Sequence, residues 1–309
     1  MPSSVLSHSL PAAFPPESVC TLCPRRCGAR RTETEGSGVC GMPAFPVLAR
    51  AALHTGEEPC ISGTRGSGTV FFSGCSLHCI YCQNRPISHE RYGRPVTPER
   101  LAEIFRELEA QGAHNINLVN PTHFVPAILA ALERYRPAVP IVYNSSGYER
   151  VETLRLLENA VDIYLPDLKY VDGALSARFS HASDYFEYAA PAILEMARQT
   201  GPMTLDGEGI ARRGTMVRHL LLPGHTRNTL AVLDWMRDNL PRGVWVSLMF
   251  QYTPVVPGLP CPELNRRATP RECRKAWDAL LERELTDGYV QSPGSAKAVY
   301  IPAFDLTGV

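Results

Sequence analysis

Absences set the first limits on this sequence. Nowhere do its 309 residues contain the roughly 18 consecutive apolar residues that span a bilayer as a helix. The opening stretch, MPSSVLSHSLPAAFPPESVC, has neither a basic start nor an apolar run of signal-peptide length, so a cytoplasmic protein is expected. Net charge is missing too. Lys plus Arg and Asp plus Glu number 31 each, which leaves no overall field to hold a polyanion or an anionic membrane; membrane partners and general nucleic-acid binding are not expected. No stretch repeats at a fixed period, which removes solenoid architectures.

What remains is a globular composition, 44% apolar and 20% charged, with core enough for one large domain or two small ones. Ten cysteines in a chain without an export signal point to metal or redox chemistry. A disulfide framework is the poorer reading, because cytosolic thiol pools keep such pairs reduced. Eight cysteines fall at positions 20, 23, 27, 40, 60, 75, 79 and 82, while Cys261 and Cys273 stand apart and read as reduced thiols.

Residues 1–19, rich in Pro and Ser, read as a flexible leader. A Cys-rich segment over 20–60 follows without clear periodicity, and 61–309 form the main domain. There, short apolar runs alternate with amphipathic stretches, the signature of βα units around a parallel sheet. Six runs read as strands, at 68–74, 116–120, 140–145, 161–167, 217–224 and 244–252, continuous in apolar character as buried parallel strands are. Helices are expected at 98–112, 125–136, 149–160, 184–199, 226–239 and 270–285. In the first of these Thr97 can cap, Pro98 suits the first turn, and Leu101, Ile104, Phe105 and Leu108 form one stripe. Six such units fit either an open doubly wound sheet or an incomplete barrel. Both gather ligands beyond the C-terminal ends of the strands, and there the unusual residues fall: a cysteine loop, then NPTH, NSSGY, PDLK, PGH and QYTP.

The loop GCSLHCIYCQN (74–84) carries Cys75, Cys79 and Cys82 at C-x3-C-x2-C spacing. Three thiolates on so short a loop can converge on one metal centre. A Zn2+ ion would need a fourth ligand, with Cys60, His78 and His89 the nearest in sequence. An iron-sulfur cluster held by three thiolates leaves one iron open, which is what a catalytic centre needs.

On these residues the sequence resembles the radical S-adenosylmethionine (SAM) superfamily. C-x3-C-x2-C follows the first strand of a βα domain, and aromatic Tyr81 precedes the last cysteine. Over residues 18–309, stretches such as EEPCISGTRGSGTVFFSG, NLVNPTHF, DIYLPDLKY, RHLLLPGH, LMFQYTP and YIPAFD are similar to iron-sulfur proteins related to pyruvate formate-lyase activating enzymes. The resemblance implies a partial (β/α)6 TIM barrel with an N-terminal Cys-rich extension. It also implies a [4Fe-4S] cluster on Cys75, Cys79 and Cys82 whose open iron is chelated by SAM, reductive cleavage of SAM, and hydrogen-atom abstraction from a substrate. A glycyl radical enzyme is the protein substrate the resemblance names, and flavodoxin or ferredoxin the reductant.

Further roles follow from the same resemblance. Tyr81 stands where an aromatic lies near the adenine. Relatives carry a GGEP turn after the second strand that receives the SAM amino group; here NPTH has no carboxylate, so contact would fall to backbone carbonyls, Asn120 or Thr122. Asn144, Ser145 and Ser146 align with a turn that reaches the ribose or carboxylate of SAM, with Gly147 allowing a tight turn and a helix cap as the alternative for the serines. Asp167 and Lys169 match a DLK motif beside the SAM carboxylate. Arg218 lies within a strand, where burial would be costly without a carboxylate: that of SAM, or an internal Asp or Glu.

Near the N-terminus, Cys20, Cys23, Cys27 and Cys40 form C-x2-C-x3-C-x12-C, four soft ligands able to close a structural Zn2+ or hold an auxiliary cluster. Cys60 could replace one of them. Two functions are consistent with the whole: a radical SAM oxidoreductase, or a zinc-stabilised binding or scaffold protein on a barrel that has lost catalysis.

Overall fold

The structure, a computed structural model, describes residues 19–291 and 302–309. The leader expected at 1–19 lies, up to residue 18, outside the described residues. Ten strands occur among those described: β1 (Val47–His54), β2 (Ser67–Phe72), β3 (Arg94–Pro95), β4 (Ile116–Val119), β5 (Ile141–Ser145), β6 (Ile163–Pro166), β7 (Thr204–Leu205), β8 (Ala211–Leu220), β9 (Trp245–Met249) and β10 (Gly288–Gln291). The helices are α1 (Pro59–Ser62), α2 (Arg85–Ser88), α3 (Pro98–Ala110), α4 (Val125–Arg134), α5 (Val151–Arg155), α6 (Gly173–Ser180), α7 (Tyr185–Thr200), α8 (Thr226–Asn239) and α9 (Pro270–Glu282).

Each of the six apolar runs forms a strand, and β2, β4, β5, β6, β8 and β9 pair in that order, all parallel. Strand β10 extends the parallel series beyond β9, and β1 lies antiparallel on β2 at the other side. The two ends do not pair among the described residues, so the sheet is an unclosed, partial barrel. Strand β1 lies within the Cys-rich segment and was not legible as a strand.

Alternation along each strand separates two layers. Outward residues such as Val70, Phe72, Leu118 and Tyr143 are buried with Leu101, Phe105 and Ile128 of α3 and α4, each large side chain contributing roughly 2 kcal/mol of burial. Thr97 caps α3 as its position suggests, accepting from the Arg100 N–H. Inward residues low in the barrel, Val142, Ile163 and Met216, form an apolar plug with Cys60 and Ile61 of α1. Cys60 is thereby placed in the barrel interior, in a different cluster from the N-terminal cysteines. Above the plug the inward residues turn polar.

Two outlying segments complete the walls. The C-terminal residues lace onto β1: the Ala51 N–H donates to the Thr307 carbonyl at 2.8 Å and the Leu306 N–H to the Ala49 carbonyl at 3.0 Å, while Arg50 pairs with Asp305 at 2.7 Å. Phe304 packs edge-on against Phe71 with centroids 5.5 Å apart. The N-terminal segment covers the cysteine loop from the other side. Arg25 Nε donates to the Ser76 carbonyl at 2.8 Å and Thr153 Oγ1 to the Leu22 carbonyl at 2.7 Å.

Candidate active site

Above the apolar plug a cavity of about 280 Å3 opens among the C-terminal strand ends. Of the residues singled out in sequence, Cys75, Cys79, Tyr81, Cys82, Asn120, Asn144, Ser145, Ser146, Asp167, Lys169 and Arg218 line it. Thr122 does not. Its 3-10 turn, Thr122–Phe124, aims the hydroxyl at buried Glu149, to which it donates at 2.6 Å, so the cofactor contact expected of Thr122 is not available in this geometry. Asn120 has φ of 59°, and its side-chain amide donates to the Gly74 carbonyl, tying the second strand end to the cysteine loop. Gly147 has φ of 76°, and a Cβ there would come within 2.1 Å of the Asp167 carbonyl oxygen. The tight turn expected at this glycine is real.

The floor is a charged network around Arg218. Its Nε donates to Asp167 Oδ1 at 3.1 Å, its Nη1 to Glu57 Oε2 at 3.1 Å, and its Nη2 to Asn144 Oδ1. Lys169 Nζ donates to the other oxygen of Asp167 at 2.6 Å. Asn117 and Asn144 both donate to Glu57 Oε1, at 3.2 and 3.3 Å. Arg218 thus finds internal carboxylates, and Glu57, which sequence reasoning missed, is one of them. Environment drives the two acids apart. Burial would raise Asp167, but the Lys169 ammonium and the Arg218 guanidinium outweigh it and hold the carboxyl below its usual range. At Glu57 burial outweighs Arg218, and the carboxyl sits above its ordinary value. Just beneath, Glu58 is 1% exposed with both carboxylate oxygens lacking a protein partner.

The cysteine loop closes the cavity on the opposite side, and every sulfur in it accepts a hydrogen bond. The Leu77 N–H donates to Cys75 Sγ at 3.4 Å, Ser88 Oγ to Cys82 Sγ at 3.3 Å, and Ser180 Oγ to Cys79 Sγ at 3.0 Å. Burial pushes all three thiols up, so a cationic centre is what would hold them as thiolates. Among the described residues no three His, Cys, Asp or Glu side chains are already arranged for a single metal ion; the loop is not a preformed zinc site. Three sulfurs lining one cavity with a polar floor, each with a donor, are a donor set whose chemistry suits a cluster with one open position. Tyr81 is buried against Phe179 and Tyr252, and its hydroxyl meets that of Tyr170 at 2.6 Å.

The N-terminal cysteines form a separate group and do not line this cavity. Cys20, Cys23 and Cys40 are buried and Cys27 is exposed. Backbone N–H groups of Arg25 and Met42 point at Cys23 and Cys40, and Arg31 Nη1 lies 3.8 Å from Cys20 Sγ. Burial pushes the Cys23 thiol up to about 12.

Comparison with known proteins gives a family and a fold. The model of the radical SAM superfamily matches residues 69–236. An uncharacterized protein of Methanocaldococcus jannaschii is 32% identical over 269 residues, covering 84% of this chain and 73% of its own length. A radical SAM methyltransferase of Sphaerobacter thermophilus shares the fold at 15% identity with a TM-score of 0.51, over 73% of this chain and 66% of that one. SuiB of Streptococcus suis, solved with S-adenosylmethionine, aligns at 11% identity and a TM-score of 0.48; the alignment covers 71% of this chain but only 45% of SuiB.

Proposed function

The chain belongs to the radical SAM superfamily, and on that premise we propose that it is an enzyme that cleaves SAM reductively and abstracts a hydrogen atom from a substrate, as an oxidoreductase of the activating-enzyme kind. The observation that carries this reading is the loop itself: Cys75, Cys79 and Cys82 face one cavity, each sulfur with its own donor. The [4Fe-4S] cluster and SAM, when bound, supply the electron, the C–S cleavage and the radical that takes the hydrogen atom.

This chain's residues do the rest. Cys75, Cys79 and Cys82 would hold the cluster. Tyr81, Asn144, Ser145 and Ser146 present aromatic and polar surface to SAM across the cavity, and Asn120 holds the strand end against the loop. Lys169 is fixed by Asp167 with its ammonium at the cavity wall, ready for a carboxylate. Arg218 is already engaged by two acids, so its work is to orient Asn144 and Asp167. Pro302 and Phe71 add an apolar side to the wall.

The stretches similar to activating enzymes support a protein substrate, a glycyl radical enzyme, and a small reductant of the flavodoxin or ferredoxin type. The C-x2-C-x3-C-x12-C pattern, the three buried thiols and their N–H and guanidinium donors support a second metal on Cys20, Cys23, Cys27 and Cys40, checked by metal content in wild type and Cys23→Ser.

Anaerobic reconstitution tests the central reading. The loaded protein should be brown, give a reduced-cluster EPR signal that changes when SAM is added, and release 5′-deoxyadenosine. A colourless protein carrying stoichiometric zinc at both cysteine groups would overturn it in favour of a scaffold.

A further inference from the structure

The three loop sulfurs are not served alike. Cys75 Sγ accepts from backbone N–H groups of its own loop, those of Leu77 and His78. Cys82 Sγ accepts from the Asn84 N–H as well as from Ser88. For Cys79 Sγ the donor among the described residues is a side chain from elsewhere, Ser180 at the C-terminal end of α6, 101 positions later in sequence.

That hydroxyl is held from several sides. The Ile80 N–H donates to the Phe179 carbonyl at 2.9 Å. Arg25 bridges the same two segments, donating through Nε to Ser76 and through its two terminal nitrogens to the carbonyls of His181 and Ser180 at 2.5 and 3.3 Å. Ser180 is 0% exposed, so its geometry is that of the surrounding structure and not of solvent.

Ser180 is also the end of a chain of hydroxyls. Its Oγ lies 2.9 Å from the Tyr170 hydroxyl, which lies 2.6 Å from that of Tyr81, and Tyr81 walls the cavity. A thiolate has no proton to give, so with Cys79 ionised the order of donation is fixed. Tyr81 donates to Tyr170, Tyr170 to Ser180, and Ser180 to sulfur. Hydrogen bonds aligned in one sense polarise one another, and the effect is largest where water is excluded.

We propose that Ser180 is a positioning residue of the cluster site, donating to Cys79 Sγ, and that Tyr170 and Tyr81 make this bond sensitive to what occupies the cavity. The proposal rests on the radical SAM reading. A hydrogen bond to a ligating sulfur stabilises the more electron-rich, reduced cluster, so Ser180 raises the reduction potential. Occupation of the cavity beside Tyr81 changes the first donor of the chain and moves the potential with it.

The test is an EPR-monitored redox titration of the full-length, anaerobically reconstituted protein, with and without SAM. Ser180→Ala should load iron and sulfide as wild type does, but its reduced-to-oxidised ratio at a fixed potential should fall about tenfold, a shift of ~59 mV to more negative potential for one electron. Ser180→Thr, which keeps the hydroxyl, should restore the wild-type value. Tyr170→Phe should move the potential less, in the same direction, and shrink the shift that SAM produces. An unchanged potential in loaded Ser180→Ala overturns the proposal. If that variant fails to load, an unchanged Tyr170→Phe overturns it instead. A wild type that takes up no [4Fe-4S] cluster fails earlier, and sinks the radical SAM reading itself.

Discussion

Two groups of cysteines, 35 positions apart at their nearest members, Cys40 and Cys75, are built on opposite plans. In the loop group every sulfur has a hydrogen-bond donor and a cavity in front of it. In the N-terminal group three thiols are buried, none lines that cavity, and the chain around them is tied to the barrel by Arg25, Arg31 and Thr153. One group opens onto a cavity; the other is held where the N-terminal segment meets the barrel. Cysteine density alone would have treated them as one region.

The sharpest way to break the comparison is to remove one thiol from each group. Cys79→Ala should abolish both the cluster spectrum and 5′-deoxyadenosine release, a loss of more than about a thousandfold given that the cofactor carries the chemistry. Cys23→Ala should keep release within about tenfold of wild type while lowering thermal stability, since a structural centre supplies folding free energy. Equal loss from both, by absorbance and product assay, would show that the groups act as one.

Next in size is the charged floor. Arg218→Met leaves Glu57 without its cation and Asp167 with Lys169 alone, and should cost about 3–5 kcal/mol in chemical denaturation. A variant as stable as wild type would mean the network is not a unit.

The seam between the regions has its own acid. Glu149 is fully buried beneath the N-terminal segment, with Thr122 and Tyr143 as donors, and burial raises it from 4.5 to about 7. The folded state therefore binds a proton that the unfolded chain releases near pH 4.5. Its contribution is favourable below that value and is lost as pH rises through 7, by roughly 3 kcal/mol. Glu149→Gln should flatten the stability profile between pH 4.5 and 7; an unaltered slope counts against the assignment. The smallest effect is expected at Arg25. Arg25→Met should cost about 1–2 kcal/mol through its lost carbonyl contacts, read as faster limited proteolysis within residues 20–46 with the barrel intact.

Much of the barrel was legible because buried parallel strands are continuous apolar runs, and β2, β4, β5, β6, β8 and β9 all are. Strand β1 was not, since Arg50 interrupts it and cysteine-rich sequence surrounds it. The loop triplet could be read from its spacing together with the strand before it and Tyr81. Glu57 could not: EEP looks like an exposed turn, and its partner Arg218 is 161 positions away. The only signal was Arg218 itself, a buried cation in need of an acid. Ser180 and Tyr170 gave none, because their roles arise from helix α6 and the PDLK turn meeting the loop in space. Thr122 shows the reverse error. Its place after a strand was right, and the short 3-10 turn rotated it away from the cavity.

The lacing of Leu306 and Thr307 onto β1 sets a timetable. Arg50 and its partner Asp305 are 255 positions apart, and at ribosomal rates that gap takes on the order of ten to fifty seconds to synthesise. The cysteine loop is complete early in that interval, at residue 82, and the charged floor only when Arg218 is added, while Phe304 has yet to reach Phe71. A nascent chain thus carries its three loop cysteines before it carries the last side of the wall around them.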